Sequence, residues 1–242
     1  MDIKQYVTSK RDDTFNVLNK DIRKLGTRKI KNSTAVPSAA GWYFQIVTAI
    51  IYALDKITDL DYIQVEGEKE DVEIYFNKNI LPTYIQVKHS ESSEKPKRMD
   101  FLKKAITSLL TTSIETKGSY SRLIYACNFK DPIKFDNSEA YFWFNKALIE
   151  QNAINLPKSA QEKIADHFVQ AQMDLHNGDK GAGYEYTDIF FNWDKFIIAT
   201  INDTGANTET KYQTLFEKME ILIDLAGMQA SSALKKIFMN IT

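Results

Sequence analysis

DYIQVEGEKEDVEIYFNKNILPTYIQVKHS, residues 61–90, decides the fold. It contains three short runs, 61–66, 71–76 and 82–88, in which apolar and polar residues alternate and turn-forming residues mark the ends. A period of two sends successive side chains to opposite faces of a strand. Val72, Ile74 and Phe76 therefore share one face, and Asp71, Glu73 and Tyr75 share the other. In the third run Ile85 and Val87 oppose Tyr84, Gln86 and Lys88. Each strand has one side to bury and one side equipped for chemistry.

Working outward, the polar run KNSTAVPS at 31–38 precedes a long helical pattern that opens at Ser38, where Pro37 disfavours helix before it and a serine can cap free amides. Tyr43, Ile46, Val47, Ile50, Ala53, Leu54 and Ile57 recur at helical spacing as a core-facing stripe, with Trp42, Gln45 and Ala49 on the adjoining face. Downstream, a polar loop at 89–98 leads into a helix over 99–115, and SRLIYAC at 121–127 reads as a fourth strand. Helix, three strands, helix, strand predicts an α/β (α+β mixed) fold: a mixed sheet flanked by helices, because a crossover helix returns the fourth strand to the sheet. The expected organisation is a basic N-terminal arm at 1–31, a core at 32–130 and a mostly helical C-terminal extension at 131–242, packed on the core or on a partner. Within that extension helices are expected at 138–151, 158–176 and 209–240, with one strand near 194–201.

Composition narrows the function classes. No apolar stretch approaches the ~20 residues of a bilayer span, and MDIKQYVTSK lacks the apolar centre of a secretory signal, so a cytoplasmic protein without a membrane partner is expected. Cys127 is the only cysteine, which excludes an internal disulfide and a multi-cysteine zinc site. Net charge is −1, so any pull toward nucleic acid must be local. Residues 1–31 carry nine Lys or Arg against four Asp, a balance of +5 that leaves −6 for the rest. Both a DNA-backbone-contacting arm and a solvated helical face fit that count.

If the second and third strands pair, Asp71 and Glu73 meet Gln86 and Lys88 on one face. A carboxylate and carbonyl oxygens hold a hard cation such as Mg²⁺, and a lysine orients water or stabilises charge on a phosphorane, so the set suits phosphodiester hydrolysis. The tripeptide form is not enough: Gln161-Glu162-Lys163, Glu115-Thr116-Lys117 and Glu209-Thr210-Lys211 share it but lie in or beside helical patterns. Gln86-Val87-Lys88 differs by ending an apolar strand, one strand after Asp71. A plain solvated strand face is the competing reading.

GWYFQ at 41–45, VEGEKEDVEI at 65–74 and TYIQVKHS at 83–90 together resemble the motif series of the PD-(D/E)XK double-stranded DNA endonuclease domains that act as effectors in bacterial anti-phage defence, such as the CD-NTase-associated endonucleases. The resemblance covers residues 38–130. It implies a restriction-endonuclease-like core in which Asp71 is the principal metal ligand, Lys88 the catalytic lysine, and Gln86 stands where many members place an acidic ligand, with the Val87 carbonyl as a further ligand. It brings Gln45 to the site from the first helix and gives Glu66 a place in completing or orienting the metal shell. Glu70 supplies the acidic neighbour of Asp71. A neutral Gln86 brings no charge, so Mg²⁺ (or Mn²⁺) is expected to bind weakly until DNA phosphate joins the coordination sphere.

Lys95, Lys97 and Arg98 follow the site and are candidate DNA phosphate contacts. His89 follows the lysine directly, whereas His167 and His176 have no metal-ligand spacing. Tyr141, Phe142, Trp143 and Phe144 read as core or interface, and the glycines of HNGDKGAG at 176–183 as turn residues without a P-loop ending. The implied function is a metal-dependent endonuclease acting on double-stranded DNA with little sequence specificity, held in check by a sensor or NTPase partner subunit or by self-oligomerisation. Two rivals stand beside it: a catalytically silent DNA-binding or scaffold subunit that keeps the fold, and an interaction protein whose working surface is the helices of 138–240.

Overall fold

The structure, a computed structural model, describes residues 2–18, 39–77, 79–90, 98–129, 133, 148–175 and 188–201. The elements run α1 (Ile3–Leu18), α2 (Ala39–Leu54), β1 (Leu60–Val65), β2 (Val72–Phe76), β3 (Thr83–Lys88), α3 (Arg98–Glu115), β4 (Arg122–Cys127), β5 (Leu148–Asn152), α4 (Lys158–Leu175) and β6 (Phe196–Ile201). The strands form one sheet in the order β1-β2-β3-β4-β6-β5. Pairs β3–β4 and β4–β6 are parallel and the other three antiparallel, so the sheet is mixed and helices flank it. The α/β class and the four strands and two helices expected between residues 38 and 127 are all present.

Alternation sorts the core into two layers. Val65, Val72, Ile74, Ile85, Val87, Ile124 and Ala126 pack with α2 on one face. Tyr84, Leu123, Tyr125, Cys127, Phe196 and Ile198 pack with α1, α3 and α4 on the other. α2 is buried nearly all round from Phe44 to Leu54, as befits a helix apolar on every side. Tyr43 departs from its expected core position: it is 47% exposed beside Trp42, on the first turns of the helix, while Ala49 and Gln45 are buried.

The sheet continues beyond residue 130. Leu148–Asn152, expected to end a helix, is strand β5: Ile149 is buried, and Arg122 of β4 donates from Nη2 to Glu150 at 2.7 Å. Edge pairing with β6 thus overrides a local pattern that also satisfies helical spacing. The strand expected near 194–201 is β6, entered through a single 3₁₀ turn at Trp193–Lys195. Residues 148–201 therefore contribute two strands as well as α4. The aromatic run at 141–144, the glycine loop at 176–183 and the helix expected at 209–240 lie outside the described residues.

The N-terminal segment is not a free arm over its first half. α1 buries Ile3 and Val7 against α4. Its three described cations each face an acid: Lys4 with Asp194 at 3.5 Å, Lys10 with Asp166 at 3.5 Å, and Arg11 with Asp188 at 2.7 Å. Such partly exposed pairs add little stability, but they neutralise charge that a DNA-contacting arm would present. The other six basic residues of the segment, between 20 and 31, lie outside the described residues.

Candidate active site

Asp71 immediately precedes β2, and Lys88 ends β3. Val72 pairs with Ile85, so Asp71 falls opposite Gln86. Because Val72, Ile85 and Val87 turn toward α2, the side chains of Asp71, Gln86 and Lys88 emerge on the face occupied by α3. The three meet on one oxygen. Asp71 Oδ2 accepts from Gln86 Nε2, from the Val87 amide at 2.9 Å and from Lys88 Nζ at 3.5 Å. Lys88 Nζ also donates to the Val87 carbonyl at 3.0 Å. The ladder between β2 and β3 has ended by this point, which leaves the Val87 amide and carbonyl available to side chains.

Neighbouring acids have different assignments. Glu70 is 4% exposed, and its carboxyl accepts from Thr112 Oγ1 at 2.7 Å and Ser108 Oγ at 3.1 Å, both on α3. Burial pushes this carboxyl up to about 8; the Thr112 hydroxyl opposes the rise, Asp71's charge adds to it, and Ser108 and Lys88 oppose it. Glu73 is turned back on the β1–β2 connection. Its Oε1 accepts from the Lys69 amide at 2.7 Å and the Glu70 amide at 3.3 Å, and its Oε2 from the Tyr75 hydroxyl. Gly67 lies against that carboxylate so closely that a β-carbon there would sit 2.6 Å from Glu73 Cδ and 2.7 Å from Cγ. Glu73 thus shapes the turn that delivers Asp71.

The remaining candidates make other contacts. Glu66 is exposed and left-handed (φ 55°); its amide donates to the Asp71 carbonyl at 2.8 Å, while its side chain joins none of the cluster's hydrogen bonds. Gln45 sits on α2, across the sheet, with Oε1 buried and without a hydrogen-bond partner among the described residues. His89 packs its ring on Phe44, 5.4 Å between centroids. Beyond it, Asn128 grips Ser90 at both backbone groups, accepting from its amide at 2.8 Å and donating to its carbonyl at 3.0 Å. Lys95 and Lys97 lie outside the described residues, as does the side chain of Arg98. On α4, burial lowers the His167 pKa, with Lys103 adding to the fall.

Neither the Ser108–Thr112 pair nor Asn128 stands out in the sequence. Two hydroxyls four residues apart on the face of an apolar helix were the available signal for the first. Asn128 carried none, because its role exists only once β3 and β4 are parallel neighbours.

Among the described residues no group of three or more His, Cys, Asp or Glu is arranged to hold a metal. The oxygens that do converge, Asp71 Oδ2 and the Val87 carbonyl, face a common point, since one ammonium reaches both. A carboxylate and a carbonyl around a position that already accepts a cation fit a hard divalent ion better than a soft one. No helix among the described residues is long and apolar enough to cross a membrane. The chain matches no family model, no curated protein and no solved structure.

Proposed function

We propose that this chain is a metal-dependent endonuclease that hydrolyses phosphodiester bonds of double-stranded DNA, on a restriction-endonuclease-like core of the PD-(D/E)XK type. The observation that carries the reading is the convergence of Asp71, Gln86, the Val87 carbonyl and Lys88 at the ends of two adjacent strands. Asp71 and the Val87 carbonyl would hold Mg²⁺ or Mn²⁺. Gln86 anchors Asp71 through its amide nitrogen, which leaves its own Oε1 as a third oxygen donor. A divalent ion held there would supply Lewis-acid polarisation of the scissile phosphate and would lower the pKa of attacking water. Lys88 directs that water and balances negative charge growing on the phosphoryl oxygens. Glu70, tied to α3 by Ser108 and Thr112, braces the turn that carries Asp71.

Such a nuclease needs restraint in its host, and the motif resemblance supports a role as an anti-phage effector governed by a sensor or NTPase subunit or by self-association. Lys95, Lys97 and Arg98 are the proposed phosphate contacts. A second reading, a catalytically silent DNA-binding or scaffold subunit, draws support from the cluster's hydrogen bonds, which among the described residues include one carboxylate, Asp71. Nicking of supercoiled plasmid across a Mg²⁺ and Mn²⁺ titration separates the two. Cation-dependent cutting by wild type and its loss in Asp71→Ala and Lys88→Ala are expected; equal cutting by either variant refutes the site.

A further inference from the structure

The Lys88 ammonium lies 3.0 Å from the Val87 carbonyl and 3.5 Å from Asp71 Oδ2, the two oxygens assigned above to the divalent ion. Taking that assignment as its basis, we propose that Lys88 and the cation compete for one position, so that the site loads its cation only as DNA phosphate draws Lys88 away. The substrate backbone then acts as the co-activator of metal binding.

Local charge supports this order of events. Asp71 offers one negative charge, and Lys88 already balances it. Among the described residues, the two buried acids beside Asp71 do not add to the face: Glu73 is committed to the amides of Lys69 and Glu70 and to Tyr75, and Glu70 to two hydroxyls of α3. A divalent ion entering beside the ammonium would place three positive charges against the one carboxylate that the described residues hold there, and like charges a few ångströms apart repel strongly at a partly desolvated site. A phosphate reverses that balance by bringing its own negative charge. Lys88 is able to follow it, because a lysine is a point charge on a flexible stem and its side chain is partly open to solvent, at 21%. Gln86 and the Val87 amide stay on Asp71 Oδ2 when Lys88 leaves, so the carboxylate keeps its orientation through the exchange.

The test is binding of Mn²⁺ alone, followed by loss of the free-ion signal in electron paramagnetic resonance, with and without a short phosphorothioate duplex. The full chain is used as wild type, Lys88→Met and Lys88→Arg. Without duplex, Lys88→Met should bind Mn²⁺ about tenfold or more tightly than wild type. Lys88→Arg, which keeps the charge, should bind no more tightly than wild type. Duplex should tighten Mn²⁺ binding to wild type far more than to Lys88→Met. Equal or weaker binding by Lys88→Met in the absence of duplex overturns the competition. If that result accompanies Mn²⁺ binding and plasmid nicking by wild type, only the competition falls. If wild type neither binds Mn²⁺ with duplex nor nicks plasmid, the nuclease reading falls with it. Should Lys88→Met fail to fold, judged by circular dichroism, Lys88→Gln takes its place under the same criteria.

Discussion

Replacing Gly67 with alanine tests how the β1–β2 turn is held. The new β-carbon would meet Glu73 Oε1 and stand 2.6 Å from Cδ, which forces the carboxylate out of its place. Its loss leaves the Lys69 amide, the Glu70 amide and the Tyr75 hydroxyl without their acceptor. Hydrogen bonds to a charged group contribute about 1.5–3 kcal/mol each, and water replaces part of this at the half-buried Lys69 and Tyr75. A destabilisation of about 3 kcal/mol follows, a large share of the 5–15 kcal/mol typical of a folded protein. It would read as a fall of roughly 1 M in the urea midpoint. Glu73→Ala alone should cost a similar amount, but adding Gly67→Ala to it should cost under about 1 kcal/mol, because the colliding group is gone. A Gly67→Ala penalty below about 1 kcal/mol, or one undiminished in the Glu73→Ala background, would refute the reasoning.

Asp71→Asn keeps the shape of the side chain but removes the charge that faces Lys88, so plasmid nicking should drop about 100-fold or more with an unchanged circular dichroism spectrum. Glu70 holds its proton up to about pH 8 in the folded chain, against 4.5 for the free group. Its contribution is therefore complete below pH 4.5 and lost as pH rises through about 8, with a slope of up to about 1.4 kcal/mol per pH unit between those values. In EDTA, Glu70→Gln should remove that slope, and urea midpoints that differ from wild type by a constant amount across the range would contradict it. Asn128→Ala takes both hydrogen bonds from Ser90 and should cost about 1–2 kcal/mol. Hydrogen exchange at the Ser90 amide should quicken, and unchanged protection there would show that the strand end holds without Asn128.

The strands around the candidate site were readable because alternation and turn residues coincide there: Val72, Ile74, Ile85 and Val87 need a buried face, and that need fixes where Asp71, Gln86 and Lys88 emerge. Parity said less about neighbours that share a face. Glu73 has the parity of Asp71, yet its carboxylate folds back on its own turn, a matter of side-chain rotation and of the room Gly67 leaves. Gln45 shared a motif with the site but belongs to a helix on the other face of the sheet. β5 was hidden for a different reason: it is a short edge strand whose partner lies more than forty residues later, so its local sequence is free to satisfy a helical pattern as well. Tyr43 fitted a helical stripe that extends one turn beyond the sheet it serves.

Strand order also has a kinetic consequence. β6 lies between β4 and β5, although it is the last of the six to leave the ribosome. β1, β2 and β3 are joined by short connections and can zip together early, but β4 presents a bare parallel edge until residues 196–201 arrive. β5 has no partner before then. Insertion of the final strand is thus a long-range closure, the kind of step that slows folding and exposes an aggregation-prone edge in the interval.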